Sequence, residues 1–144
     1  MNVLVIHGPN LNLLGRREMS VYGSGTLEEL NALVTDEAGR IDVNLEIHQT
    51  AREGEIIELL HGGLDRIDGA LLNPAAYSHT SRAIADAIRS VSFPVIEVHL
   101  SNIHAREEWR RHSVTAEAAA GIVAGFGAGS YIAALHALKG MVGE

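Results

Sequence analysis

The chain has 144 residues, 47% of them hydrophobic, which suits one packed core and excludes disorder as its overall state. Eleven Lys and Arg against 18 Asp and Glu give a net charge of −7, unsuited to a main partner with a nucleic-acid backbone but compatible with a local cationic pocket for a small anion. With no Cys, a disulfide scaffold, a thiolate nucleophile and Cys-ligated zinc or iron–sulfur are excluded.

The first residues, Met-Asn-Val-Leu-Val-Ile-His, carry no basic leader, and no run of about 18 apolar residues follows anywhere. The expectation is a cytoplasmic protein without a membrane span. Val3-Leu4-Val5-Ile6 reads as a buried first strand. Thr26-Leu27-Glu28-Glu29 has the form of a capping box, and Leu27, Leu30, Val34, Ala38 and Ile41 mark one apolar helix face. Val43, Leu45 and Ile47 alternate with Asn44, Glu46 and His48, as expected of a half-buried strand at a sheet edge. Ile56, Ile57, Leu60 and Leu64 mark a second helix, and Ala70-Leu71-Leu72 a third strand ending at Asn73-Pro74. Thr80 or Ser81 can cap a helix with inner face Ala83, Ile84, Ala87, Ile88 and Val91. Val95 to Leu100 is a fourth strand. The apolar stretch from Ala116 to Leu138, broken by four glycines, reads as a buried strand at Ile122-Val123-Ala124, a turn and a helix carrying Ile132, Leu135, Leu138 and Val142.

Alternating apolar strands and helices predict a parallel sheet covered on both faces. Five strands in this length suit a flavodoxin-like, doubly wound α/β fold of order 2-1-3-4-5, one domain over residues 1–144. Ligands then bind beyond the carboxyl ends of strands 1, 3 and 4. The three loops there are rich in Asn, His, Ser and Arg. The first is longer than the usual connection of about 2–6 residues and reads as a lid over about residues 15–25, carrying Arg16, Arg17 and Tyr22. It contains neither a phosphate loop nor a dinucleotide fingerprint. Of the eight histidines, His99, His104 and His112 could suggest a metal, but no H-E-x-x-H occurs and the spacings match no ligand pattern, so no metal is expected. His99 stands apart at the tip of a buried strand. On these residues alone, an enzyme, a non-catalytic module binding a nucleotide or anionic metabolite, and a metal hydrolase all stay open.

Three segments narrow the choice: His7-Gly8-Pro9-Asn10-Leu11-Asn12-Leu13-Leu14-Gly15 with Arg17-Glu18 and Tyr22-Gly23; Asn73-Pro74-Ala75-Ala76-Tyr77-Ser78-His79-Thr80-Ser81; and Glu97-Val98-His99-Leu100-Ser101-Asn102 with Arg106-Glu107-Glu108-Trp109-Arg110. In that order the chain resembles type II 3-dehydroquinate dehydratases along essentially its whole length. It departs from them at Met19, where Pro is common, at His7, where many have Asn, and at Ser78, where many have Thr.

The resemblance implies dehydration of 3-dehydroquinate to 3-dehydroshikimate, a shikimate-pathway step also used in quinate breakdown, without Schiff base, metal or organic cofactor. The single Lys, Lys139 in the last helix, agrees with a route that forms no imine. Elimination beside a ketone needs a base, a place for enolate charge and an acid for the leaving hydroxyl. By resemblance Tyr22 is the base, activated by Arg17 with support from Arg106, because a free phenol ionises near pH 10 and a neighbouring cation favours its phenolate. His99 is the acid, oriented by Glu97 two residues earlier on the same strand face. Asn10 is assigned to a water or the enolate oxygen. Asn73, His79, Leu100, Ser101 and Arg110 are assigned to the substrate. Asp86 lies at helical spacing from Arg82 and Arg89, the pattern of an intrahelical ion pair, while in the family its counterpart reaches the site of an adjacent subunit; the sequence alone does not separate the two, which are compatible. The resemblance further implies a homo-oligomer, a dodecamer built as a tetramer of trimers.

Overall fold

Helices between successive strands supply the crossovers that parallel pairing needs, and the five strands here pair in parallel in the order β2-β1-β3-β4-β5. The computed structural model describes residues 1–16 and 18–143. The strands are β1 Asn2–His7, β2 Asn44–Gln49, β3 Gly69–Asn73, β4 Val95–His99 and β5 Gly121–Ala124. Val3 of β1 lies between Leu45 of β2 and Gly69 of β3, and the register brings the tips of β1 and β3 together at His7 and Asn73. The topology is the flavodoxin-like, doubly wound one.

The helices are α1 Met19–Tyr22, α2 Leu27–Arg40, α3 Glu53–Gly62, α4 Arg82–Ser90 and α5 Ala128–Val142. Alternate strand residues point to opposite faces, giving two cores. Val3, Val5, Leu71, Ile96 and Val98 meet Leu30 and Val34 of α2 and Tyr131, Leu135 and Leu138 of α5. Leu4, Ile6, Ala70 and Leu72 meet Ile56 and Leu60 of α3 and Ile84 and Ile88 of α4. The expected capping box closes α2: Thr26 accepts from the Glu29 amide, and the Glu29 carboxylate from the Thr26 amide. Ser81 rather than Thr80 caps α4, accepting from the Ile84 amide at 3.0 Å.

Three expectations need correction. Leu64 lies beyond α3, which ends at Gly62 with Gly63 as its cap, and it is exposed rather than inward. On α4 Ala85 is buried and Ala83 exposed, because the inner stripe turns through Ala85 and Ile88. β5 is not fully buried: it is the second sheet edge, paired only with β4, and leaves Ile122 46% exposed. At the opposite edge, β2 is half-buried as expected, and its Glu46 is paired with Arg66.

Candidate active site

β1, β3 and β4 end on one side of the sheet, and the loops that follow them enclose a pocket holding about 620 Å³ of open space, its mouth included. The first loop contributes Asn10 and Tyr22, the second Asn73 and His79, and the third His99, Leu100, Ser101, Arg106 and Arg110. These nine expected site residues therefore share one cavity. Asn10 and Ala75 have left-handed backbones (φ 69° and 53°). Asn tolerates this conformation; for Ala it is strained, a feature that gathers at functional turns.

His99 ends β4, and its Nε2 lies 2.8 Å from Oε2 of Glu97. A carboxylate only accepts, so Nε2 is the donor and Nδ1 is the other ring nitrogen available for proton exchange. Glu97 has no exposed surface and does not line the cavity. It stands behind His99, as the two-residue spacing on one strand requires. Ser113 donates to Glu97 Oε2 at 2.6 Å and Thr115 donates to Oε1. Neither hydroxyl stood out in the sequence, since their loop reaches β4 only through tertiary packing.

On the lid side, Tyr22 ends the single-turn helix α1. Arg106 Nη1 donates to its phenol oxygen at 2.7 Å, and the guanidinium carbon sits 5.1 Å from the ring centre. Arg106 also reaches Ser101 Oγ at 3.5 Å and Glu18 at 3.6 Å. A guanidinium bound to a phenol oxygen stabilises negative charge there, which is what a tyrosinate base needs. Arg17, the other expected cation, lies outside the described residues.

Asn73 is held through its Oδ1, which accepts from the Ala75 amide at 3.0 Å, and it lies near the buried Tyr131 hydroxyl. That hydroxyl is 2.9 Å from His7 Nδ1, while His7 Nε2 is 2.7 Å from Asn31 Oδ1. The Asn oxygen accepts, so Nε2 carries the His7 proton and Nδ1 accepts from Tyr131. Burial pushes the His7 imidazole down to about 4 despite the Asn31 bond, and pushes the Tyr131 phenol up. His7, at the tip of β1, is thus turned into the core rather than into the cavity.

His79 donates from Nδ1 to the His112 carbonyl at 2.8 Å and meets Trp109 edge-on. Burial lowers its affinity for a second proton, more than the His112 bond raises it, leaving Nε2 as an acceptor. Arg110 stacks over Trp109 at 4.0 Å and pairs with Glu107. Two arginines thus make the cavity locally cationic in a chain of net charge −7.

Asp86 is the expected residue that this chain does not bring in. It sits on the outer face of α4, its side chain 81% exposed and 3.4 Å from Arg89. Among the described residues, no three His, Asp or Glu side chains are arranged to hold a metal ion.

Known proteins resemble this chain along nearly its whole length. Residues 1–139 match the family model described as dehydroquinase class II. A 3-dehydroquinate dehydratase of Caldanaerobacter subterraneus subsp. tengcongensis is 56% identical over 95% of this chain and 93% of its own. The 3-dehydroquinate dehydratase of Clostridium acetobutylicum is 49% identical over the whole of both chains. Among solved structures, the type II dehydroquinase of Butyrivibrio crossotus superposes with a TM-score of 0.95 at 41% identity, covering 96% of this chain and 97% of the other.

Proposed function

The chain belongs to the class II dehydroquinase family and is an enzyme that dehydrates 3-dehydroquinate, and from that premise we propose how its residues divide the reaction. The observation that carries the proposal is a phenol bound by a guanidinium and an imidazole bound by a buried carboxylate, lining one cavity.

Tyr22, as tyrosinate, takes the proton from the carbon beside the ketone. Arg106, with Arg17, stabilises the phenolate before transfer and the negative charge that moves into the ring afterwards. The enolate oxygen is met by Asn10, directly or through an ordered water. His99 then protonates the departing hydroxyl from Nδ1, and Glu97 offsets the cation that His99 carries beforehand. The lid over about residues 15–25 closes above the ring so that base and acid work from opposite faces, an anti elimination. The ring carboxylate sits by Leu100 and Ser101, and Asn73, His79 and Arg110 hold its hydroxyls. Fixing the ring matters because transfer needs the reacting atoms about 3–3.5 Å apart.

The product 3-dehydroshikimate places the reaction in the shikimate pathway and, by the same chemistry, in quinate breakdown. The reading includes a cytoplasmic homo-oligomer, a tetramer of trimers, in which Asp86 reaches a neighbouring subunit's cavity. Ile122 and Phe126, 46% and 74% exposed along the β5 side, support an assembly that covers them. Among the described residues no helix is long and apolar enough to cross a membrane. Sedimentation at a mass well below twelve chains of 15.4 kDa would remove the dodecamer.

Purified protein given 3-dehydroquinate should develop the ultraviolet absorbance of a conjugated enone. Tyr22→Phe, folded as judged by circular dichroism, should lose at least about 10³-fold in kcat, the scale of a general base. Turnover retained in Tyr22→Phe would take the base role from this residue.

A further inference from the structure

We propose that Ser113 and Thr115 are positioning residues for catalysis: as a pair of hydroxyl donors they clamp both oxygens of Glu97, so that one side of the carboxylate is left for His99. The inference rests on the acid role given above to His99.

Both side chains are buried, Thr115 completely, in a segment that follows the pocket loop and belongs to no helix or strand. Its placement is fixed by the backbone. The Val114 amide donates to the Ser78 carbonyl at 2.7 Å, and the Ala116 amide donates to Ser113 Oγ at 3.0 Å. With its acceptor side used by Ala116, the Ser113 hydroxyl turns its one proton to Glu97 Oε2 at 2.6 Å rather than to the Ser78 carbonyl at 3.4 Å. Thr115 takes Oε1, leaving Oε2 to accept from Ser113 and from His99 Nε2. A buried carboxylate without such donors would be costly and free to turn about its last torsion. With them it has one orientation, which fixes the tautomer and ring plane of His99. Of the titratable groups outside this cluster, His79 is close enough to feel the charges of both His99 and Glu97.

The clamp acts through the acid, not through binding, so its loss should lower kcat and leave KM unchanged. Thr115→Val keeps the shape and deletes the hydroxyl. It should reduce kcat about tenfold, the scale of one hydrogen bond to a charged group, while Thr115→Ser restores it. Thr115→Ala deletes the same hydroxyl and is read in the same way should the valine variant not fold. In a Glu97→Gln background the Thr115→Val change should have little further effect, whereas a structural role elsewhere would lower both backgrounds equally. His99→Asn runs alongside. If His99→Asn abolishes turnover while Thr115→Val and Thr115→Ala both match the parent, the clamp is overturned and the acid role stands. If His99→Asn keeps full turnover, the acid role falls and takes the clamp with it.

Discussion

At the scale of single residues, what distinguishes the site is how each reactive side chain is tied from behind. Tyr22 is bound by Arg106, His99 by Glu97, and Asn73 by the Ala75 amide. Arg106→Gln keeps a donor but removes the charge, and kcat should fall about 10–100-fold with a smaller change in KM, measured by initial rates at saturating substrate. His7 gives a second prediction. In the folded chain it stays neutral down to about 4, while the unfolded chain takes up that proton near 6.5. Between these values the unfolded state binds more protons, so this residue's contribution is complete above about pH 6.5 and lost as pH falls toward 4, by up to about 3 kcal/mol. His7→Gln can still accept from Tyr131 and donate to Asn31, and it does not titrate. Urea melts from pH 7 to 4.5 should therefore show a flatter pH dependence in His7→Gln; a difference curve without slope would contradict the neutral buried imidazole. Of these partners, the sequence made Glu97 legible through strand parity. It could not show His7 turned inward, because a histidine at a strand tip faces core or cavity according to which helix packs beside it, here α2 through Asn31 and α5 through Tyr131.

At the scale of elements, the pocket exists because the loops after β1 and β3 touch. The Gly8 amide donates to the Asn73 carbonyl at 2.8 Å, and a Cβ built on Gly8 would stand 2.8 Å from backbone atoms of Asn73 and Pro74. No flexible side chain is there to yield. Gly8→Ala should push the two loops apart, costing about 1–3 kcal/mol by thermal or urea unfolding and raising KM through Asn73. An unchanged melting point and KM would mean the loops can part freely. The helix starts were readable because capping is local chemistry, as at Thr26 and Glu29. The exact inner stripe of α4 was not, since it depends on how that helix rolls against α3.

At the scale of the whole molecule, an acidic chain keeps a local cationic spot at one end of its sheet. Of eleven Lys and Arg, Arg106 and Arg110 line the cavity, while Arg40, Arg52, Arg66 and Arg89 are spent on surface pairs. The alternation of strands and helices suits the flavodoxin-like order, which places the switch between β1 and β3, so the location of the site was legible before any geometry. The clamp on Glu97 was not, since residues 113–116 meet β4 only when β5 closes the sheet beside it. Asp86, outside its own chain's cavity, pairs with Arg89 on the outer face of α4.

The most direct measurement is a crystal structure of the protein with a carbocyclic acid that mimics the substrate ring bound beneath the lid. The account predicts the Tyr22 oxygen within about 3.5 Å of the carbon that would lose its proton, with His99 across the ring beside the position of the leaving hydroxyl. A ring seated with its carboxylate by Ser101 but with that carbon beyond the reach of the phenol oxygen, the lid closed, would contradict it.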